Sequence, residues 1–163
     1  MADYSESILI SNLTKQVEAK AKKVIDRTLE KVVNELMETS PVGEPSEWIK
    51  WRERPDYQAG HYKANWQHTV SSPASSEIEG VDVEGSETRK RMLNSIKDNN
   101  KVITTHYFTN NVPYAATIEY VKWEGYDSQW AWHNNTPRLQ GLVASNAVRK
   151  VPTFLAESVR EVG

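Results

Sequence analysis

Leu13, Val17, Ala21, Val24, Ile25, Leu29, Val32 and Leu36 recur at spacings of three and four, the period of a helix that buries one stripe. Ser11 or Asn12 can cap it, so the pattern predicts a helix over 13–38, preceded by residues 1–12 as a flexible arm. The other positions alternate Lys and Glu, a solvated face. Val33 and Met37 fall outside the stripe. A helix this long on a small domain should project beyond its own core, so part of its apolar surface, with Val33 and Met37, is expected to meet a neighbouring subunit. Ser40-Pro41 ends it, because the residue before a proline is driven out of the helical region.

A long loop follows, 41–60, with Pro41, Gly43, Pro45, Pro55 and Gly60 beside Trp48, Trp51 and Tyr57. From Ala64 to Ser71 the pattern alternates, which predicts a strand with Trp66, His68 and Val70 on one face. Residues 72–85 are turn-like and acidic. Ser86 can cap a helix to Asp98 with Met92, Leu93 and Ile96 inward and Arg89, Lys90 and Arg91 outward. Lys101–Asn110, rich in β-branched and aromatic residues, is the clearest strand, and Asn110-Asn111-Val112-Pro113 is a turn. Tyr114–Val121 has no decided type. A second aromatic loop over 122–135 carries Trp123, Tyr126, Trp130 and Trp132. Thr136-Pro137 then opens a helix whose apolar side is Leu139, Leu142, Val143, Ala147, Val151, Phe154 and Leu155, with Pro152 expected to kink or split it.

The order is α, loop, β, α, β, loop, α, with further short strands expected around Asp82 and Glu119. This predicts an α+β fold: a small antiparallel sheet packed with long N-terminal and C-terminal helices. The 163 residues fit one domain.

Composition adds that the core is thin. The apolar share is 38%, low for a soluble domain, so burial is expected to be completed against partners. Six Trp and seven Tyr stand against two Phe, an excess of the aromatic types that combine an apolar body with a polar tip and suit interfaces. With no cysteine there is no disulfide or thiolate site. A net charge of −2 leaves no global footprint for nucleic acid, and Arg89-Lys90-Arg91 beside the acids of 77–87 is a poor phosphate patch. No apolar run is long enough to span a bilayer, and Met1–Glu6 lacks a basic start, so synthesis and residence in a cytoplasm are expected, with no membrane partner.

Catalytic chemistry finds little to stand on. His61, His68, His106 and His133 lie in four segments without metal-ligand spacing, and no phosphate loop or nucleophile elbow occurs. Glu119, between Ile118 and Tyr120, is the one carboxylate in an apolar setting, and it reads as a hydrogen-bond acceptor. The expectation is a protein that is not an enzyme and holds no cofactor or metal. The loop aromatics leave two readings open. Trp48, Trp51, Tyr57, Trp123, Tyr126, Trp130 and Trp132 would anchor subunit or partner interfaces, or Trp48, Trp51, Trp123, Trp130 and Trp132 would stack on sugar rings in a carbohydrate-binding accessory module.

Two segments decide between them. Ser40-Pro41-Val42-Gly43-Glu44-Pro45-Ser46-Glu47-Trp48 with Gly60-His61-Tyr62-Lys63-Ala64-Asn65-Trp66-Gln67, and Tyr107-Phe108-Thr109-Asn110-Asn111-Val112-Pro113-Tyr114-Ala115 with Ile118-Glu119-Tyr120, resemble the small neck or tail-completion proteins of tailed bacteriophages, the phage HK97 gp10-like family. The likeness spans roughly 40–120; beyond Tyr120 the chain departs from it, with Trp123–Asn135 where family members carry a Gln-Ala-Pro-rich segment. It implies a virion structural protein, made in the host cytoplasm and placed at the head-tail junction. It also implies a homo-oligomeric ring of sixfold symmetry that joins tail tube and terminator to connector and head-closure proteins. Packaged DNA would pass through such a ring without specific binding. Pro41, Gly43, Pro113 and Tyr114 are then expected to set turns that aim the loops and Trp66 to pack inside, with Gly60, Asn110, Asn111, Glu119 and Tyr120 as the remaining motif positions.

Overall fold

The computed structural model describes residues 2–42, 58–120 and 143–163. In chain order these form α1 (Ala2–Thr39), α2 (His61–Ala64), β1 (Trp66–Val70), α3 (Ser86–Asp98), β2 (His106–Asn110), α4 (Ala115–Tyr120) and α5 (Val143–Val162). The α+β class holds: α1 and α5 pack together, and β1 pairs with β2 in a two-stranded antiparallel sheet.

Helix α1 starts at Ala2, so Ser11 and Asn12 lie inside it and residues 2–12 are helix, not an arm. Their cap potential goes unused because Ile8, Leu9 and Ile10 continue the helix across them. The far end stops where the proline requires. Ser40 returns both its backbone N–H, at 3.1 Å, and its hydroxyl, at 2.6 Å, to the Leu36 carbonyl before Pro41 turns the chain away.

The core joins Val32, Val33, Leu36 and Met37 of α1 to Tyr62, Trp66, Met92, Ile96, Val112, Val143 and Ala147. Val33 and Met37 were expected at an interface, and they are fully inside, at 0% and 3% exposure. The reason is that α1 is covered on two sides over its last turns, by α5 on one and by α3 on the other, so its buried sector is wider than one stripe. Antiparallel packing of α5 is fixed at its edges by Lys31 with Glu157 and Glu161, and by Glu35 with Lys150 at 2.7 Å.

Strand β1 buries Trp66 and His68 as alternation predicts. β2 is shorter than Lys101–Asn110, since its partner offers only five residues and 101–105 have none to pair with; Ile103 is 94% exposed. Among the described residues neither extra strand forms. Asp82 instead turns its carboxylate onto the start of α3, accepting from Gly85 and Thr88 N–H groups at 2.8 Å each, and so takes the capping role expected of Ser86. Glu119 lies in α4, where Ala115 and Ala116 favour helix after the Pro113 turn. α5 runs through Pro152 unbroken; its predicted start at Thr136-Pro137, with Leu139 and Leu142, lies outside the described residues.

Candidate interaction surface

The described parts of the two signatures, which read separately along the chain, form one unit in space. β1 and β2 set Trp66 opposite Asn110. The Asn110 side-chain amide donates to the Tyr62 carbonyl at 2.8 Å, while its oxygen receives the Val112 N–H at 3.4 Å, closing the turn before Pro113. Asn111 donates to the carbonyls of Ala74 and Ser76 at 2.9 and 3.0 Å, so adjacent asparagines tie β2 to α2 and to the loop after β1. Trp66 packs inside, as expected. Its ring meets Tyr62 edge-on at 5.9 Å and its indole N–H donates to the Ser40 hydroxyl at 2.8 Å.

Gly60 opens α2 with φ +81°, and a Cβ there would come within 2.7 Å of the Val83 backbone nitrogen. Only glycine accepts both the left-handed backbone and that approach. Two residues outside the candidate set complete the junction. Asn65, fully buried, donates to the carbonyls of His61 and Ile78 and accepts from the Ile78 N–H. Arg91 was expected to face solvent, yet its guanidinium donates to the carbonyls of Ala64 and Trp66 at 2.7 and 3.0 Å and so ties α3 to the junction of α2 and β1.

Glu119 is the acceptor the sequence suggested. Its carboxylate takes the Ala144 and Ser145 N–H groups at 3.0 and 2.8 Å and the Ser145 hydroxyl at 2.7 Å, placing a negative charge on the exposed donors of the α5 N-terminus. Tyr114 is half-buried against the core, Pro113 is exposed in the turn, Pro41 follows α1, and Tyr120 closes α4.

Three histidines fall into two environments. His61 sets Nδ1 against the Gly80 carbonyl at 2.7 Å and Nε2 against Glu77 at 2.6 Å, an arrangement that suits the doubly protonated ring. Burial opposes that charge, but the carbonyl and carboxylate outweigh it and raise the pKa. His68 and His106 stack at 5.2 Å with His68 Nε2 2.9 Å from His106 Nδ1, and Ser95 of α3 meets His68 Nδ1 at 2.9 Å. Burial, then the neighbouring ring, lowers the His68 pKa to about 4. Among the described residues no three His, Asp or Glu side chains converge as metal ligands would.

The open surface is apolar in an unusual place. Residues 7–20 of α1 are exposed throughout, including Ile10 at 64%, Leu13 at 60% and Val17 at 59%. At about 1.5 Å per residue this stretch is about 20 Å long, and it lies wholly beyond Lys31, where α5 ends. The projection agrees with the length of the helix, although the face that leaves the core is its N-terminal half and not Val33 and Met37. Gly43, Trp48, Trp51, Tyr57, Trp123, Tyr126, Trp130 and Trp132 lie outside the described residues. No described helix is long and apolar enough to cross a membrane.

No family model matches the chain, and neither a curated protein nor a solved structure does. The likeness to phage neck proteins therefore rests on the residues of its two signatures.

Proposed function

We propose that this chain is a structural subunit of the neck of a tailed bacteriophage, a tail-completion protein that acts as a homo-oligomeric ring. By resemblance the ring is a hexamer, placed in the virion between tail tube and terminator on one side and connector and head-closure proteins on the other. It works by contact and not by catalysis, and the packaged DNA passes through its opening.

The observation that carries this reading is the bare N-terminal half of α1. Helices in proteins draw most of their stability from packing an apolar face, this half of the 38-residue α1 packs on nothing described, and rows of exposed apolar side chains mark surfaces that associate. The meeting of both signatures at Trp66 and Asn110 supports it further, since residues that resemble one family along the chain also cooperate in one local structure. Mass spectrometry of purified particles, with a cryo-EM map of the neck, tests the proposal. The chain is expected in intact virions as a closed ring at the head-tail junction; its absence from virions would refute the reading.

A further inference from the structure

The side of α1 left bare at its N-terminal end is the side that carries the ion pairs to α5 further along. Steps of three, four and seven connect Ile10, Leu13, Val17, Val24, Lys31 and Glu35, so they share one side of the helix. Lys31 and Glu35 flank the α1–α5 contact through their ion pairs, and Glu161 in the last turn of α5 is already opposite Lys31 at 2.8 Å. The flank along which α1 meets α5 thus continues past the end of its intramolecular partner.

A second bare row lies on α5 itself. Val143, Ala147, Val151 and Phe154 turn toward the core, whereas Val148, Leu155 and Val159, at 68%, 44% and 51% exposure, follow each other by seven and four on an adjoining face. α5 is therefore apolar over about twice the sector that its own α1 covers. Exposed Pro152 and Ala156 lie beside that row and bring no charge to it.

We propose that Ile10, Leu13 and Val17 of one copy pack on Val148, Leu155 and Val159 of the next, head to tail. The inference rests on the ring reading and assigns its subunit contact. A neighbour's α5 would lie along the projecting part of α1 much as the chain's own α5 lies along the following turns. Both bare rows are covered at once, and because the two surfaces differ the contact repeats from copy to copy, as the ring reading requires; a rotation per copy that divides a full turn closes it. A two-fold pairing of α1 with α1 would leave the α5 row in water. It would also set the lysine-rich stretch of Lys15, Lys20, Lys22 and Lys23, relieved within 7–23 only by Glu18, against its own copy. The projecting face, about 20 Å long and about 10 Å wide, offers roughly a few hundred Å², less than the roughly 800 Å² per partner of a stable pair. A contact of that size holds best where closure makes every copy use it twice.

The absence of cysteine makes the test direct. L13C and L155C variants carrying different tags are mixed and treated with a short bismaleimide, with L13C and S72C as the control pair. The proposal expects L13C to join L155C about a hundredfold faster than S72C, from the high effective concentration within an interface, and the double variant to give a ladder of linked chains. L13C homodimers as the main product would overturn it in favour of a two-fold pair. No linkage in a sample that light scattering shows to be a ring would overturn this contact and leave the ring standing; no linkage in a sample that stays monomeric would remove both.

Discussion

The indole N–H of Trp66 donates to the hydroxyl of Ser40 at 2.8 Å, and that hydroxyl in turn donates to the Leu36 carbonyl. The first residue of the Ser-Pro signature is thereby bonded to the tryptophan of the Gly60–Gln67 segment. One buried chain of donors joins the end of α1 to the start of β1.

Removing the middle of that chain leaves the buried indole N–H unsatisfied. Ser40→Ala is expected to cost about 1–3 kcal/mol in urea unfolding, whereas Trp66→Phe, which removes the donor itself, should lose less hydrogen-bond energy but more packing. Equal, negligible effects in both would show that the bond contributes nothing.

Gly60→Ala meets two obstacles, a left-handed backbone and the Val83 and Asp82 backbone atoms within 3 Å of the new methyl. A left-handed non-glycine residue alone costs about 1–2 kcal/mol, so the loss should exceed about 2 kcal/mol. A melting temperature unchanged by this variant would mean that the loop over Gly60 is not held as described.

Met37→Ala and Leu13→Ser separate core from surface. The first should destabilise by about 2–5 kcal/mol, the range for emptying a packed methionine site. The second should leave monomer stability within about 0.5 kcal/mol while weakening association. Calorimetry paired with sedimentation velocity reads both, and the reverse pattern would return Met37 to an interface.

Helix periodicity made α1, α3 and the core face of α5 legible, because Leu36, Met92, Ile96 and Ala147 each sit on a repeating stripe. It could not place Val33 and Met37. Whether a flank of a helix is wet depends on a second neighbour, here α3, that only the tertiary fold supplies. The Asp82 cap was hidden for a similar reason: its carboxylate acts three and six residues ahead, on Gly85 and Thr88, through a loop path that spacing does not encode. The asparagine pair 110–111 announced a turn, yet its bonds to Tyr62, Ala74 and Ser76 cross the chain and leave no local mark.

The histidines predict a pH response with two signs. His68, held near 4 against an ordinary value near 6.5, stays neutral in the fold, so between those values the unfolded chain binds more protons and stability falls as pH falls. Around it stand His106 from β2, Ser95 from α3, and the Lys22–Asp26 pair of α1, whose charges act on His106 in opposite directions. His61 works the other way. Its raised pKa adds stability below its unfolded value that is lost as pH rises through the folded one. His68→Gln should flatten the acid-side decline, by up to about 1.4 kcal/mol per pH unit, and His61→Gln should flatten the change on the neutral side. Urea midpoints at a series of pH values check both; parallel curves for wild type and His68→Gln would contradict the assignment.

The claim that this chain works as a ring is tested most directly by light scattering on the purified protein across a concentration series. The account predicts a species of fixed mass at an integer multiple of the 18.6 kDa chain, about six for a closed ring, that falls apart when Leu13 and Val17 are made polar. A mass of one chain at every concentration, unchanged by those substitutions, would contradict it.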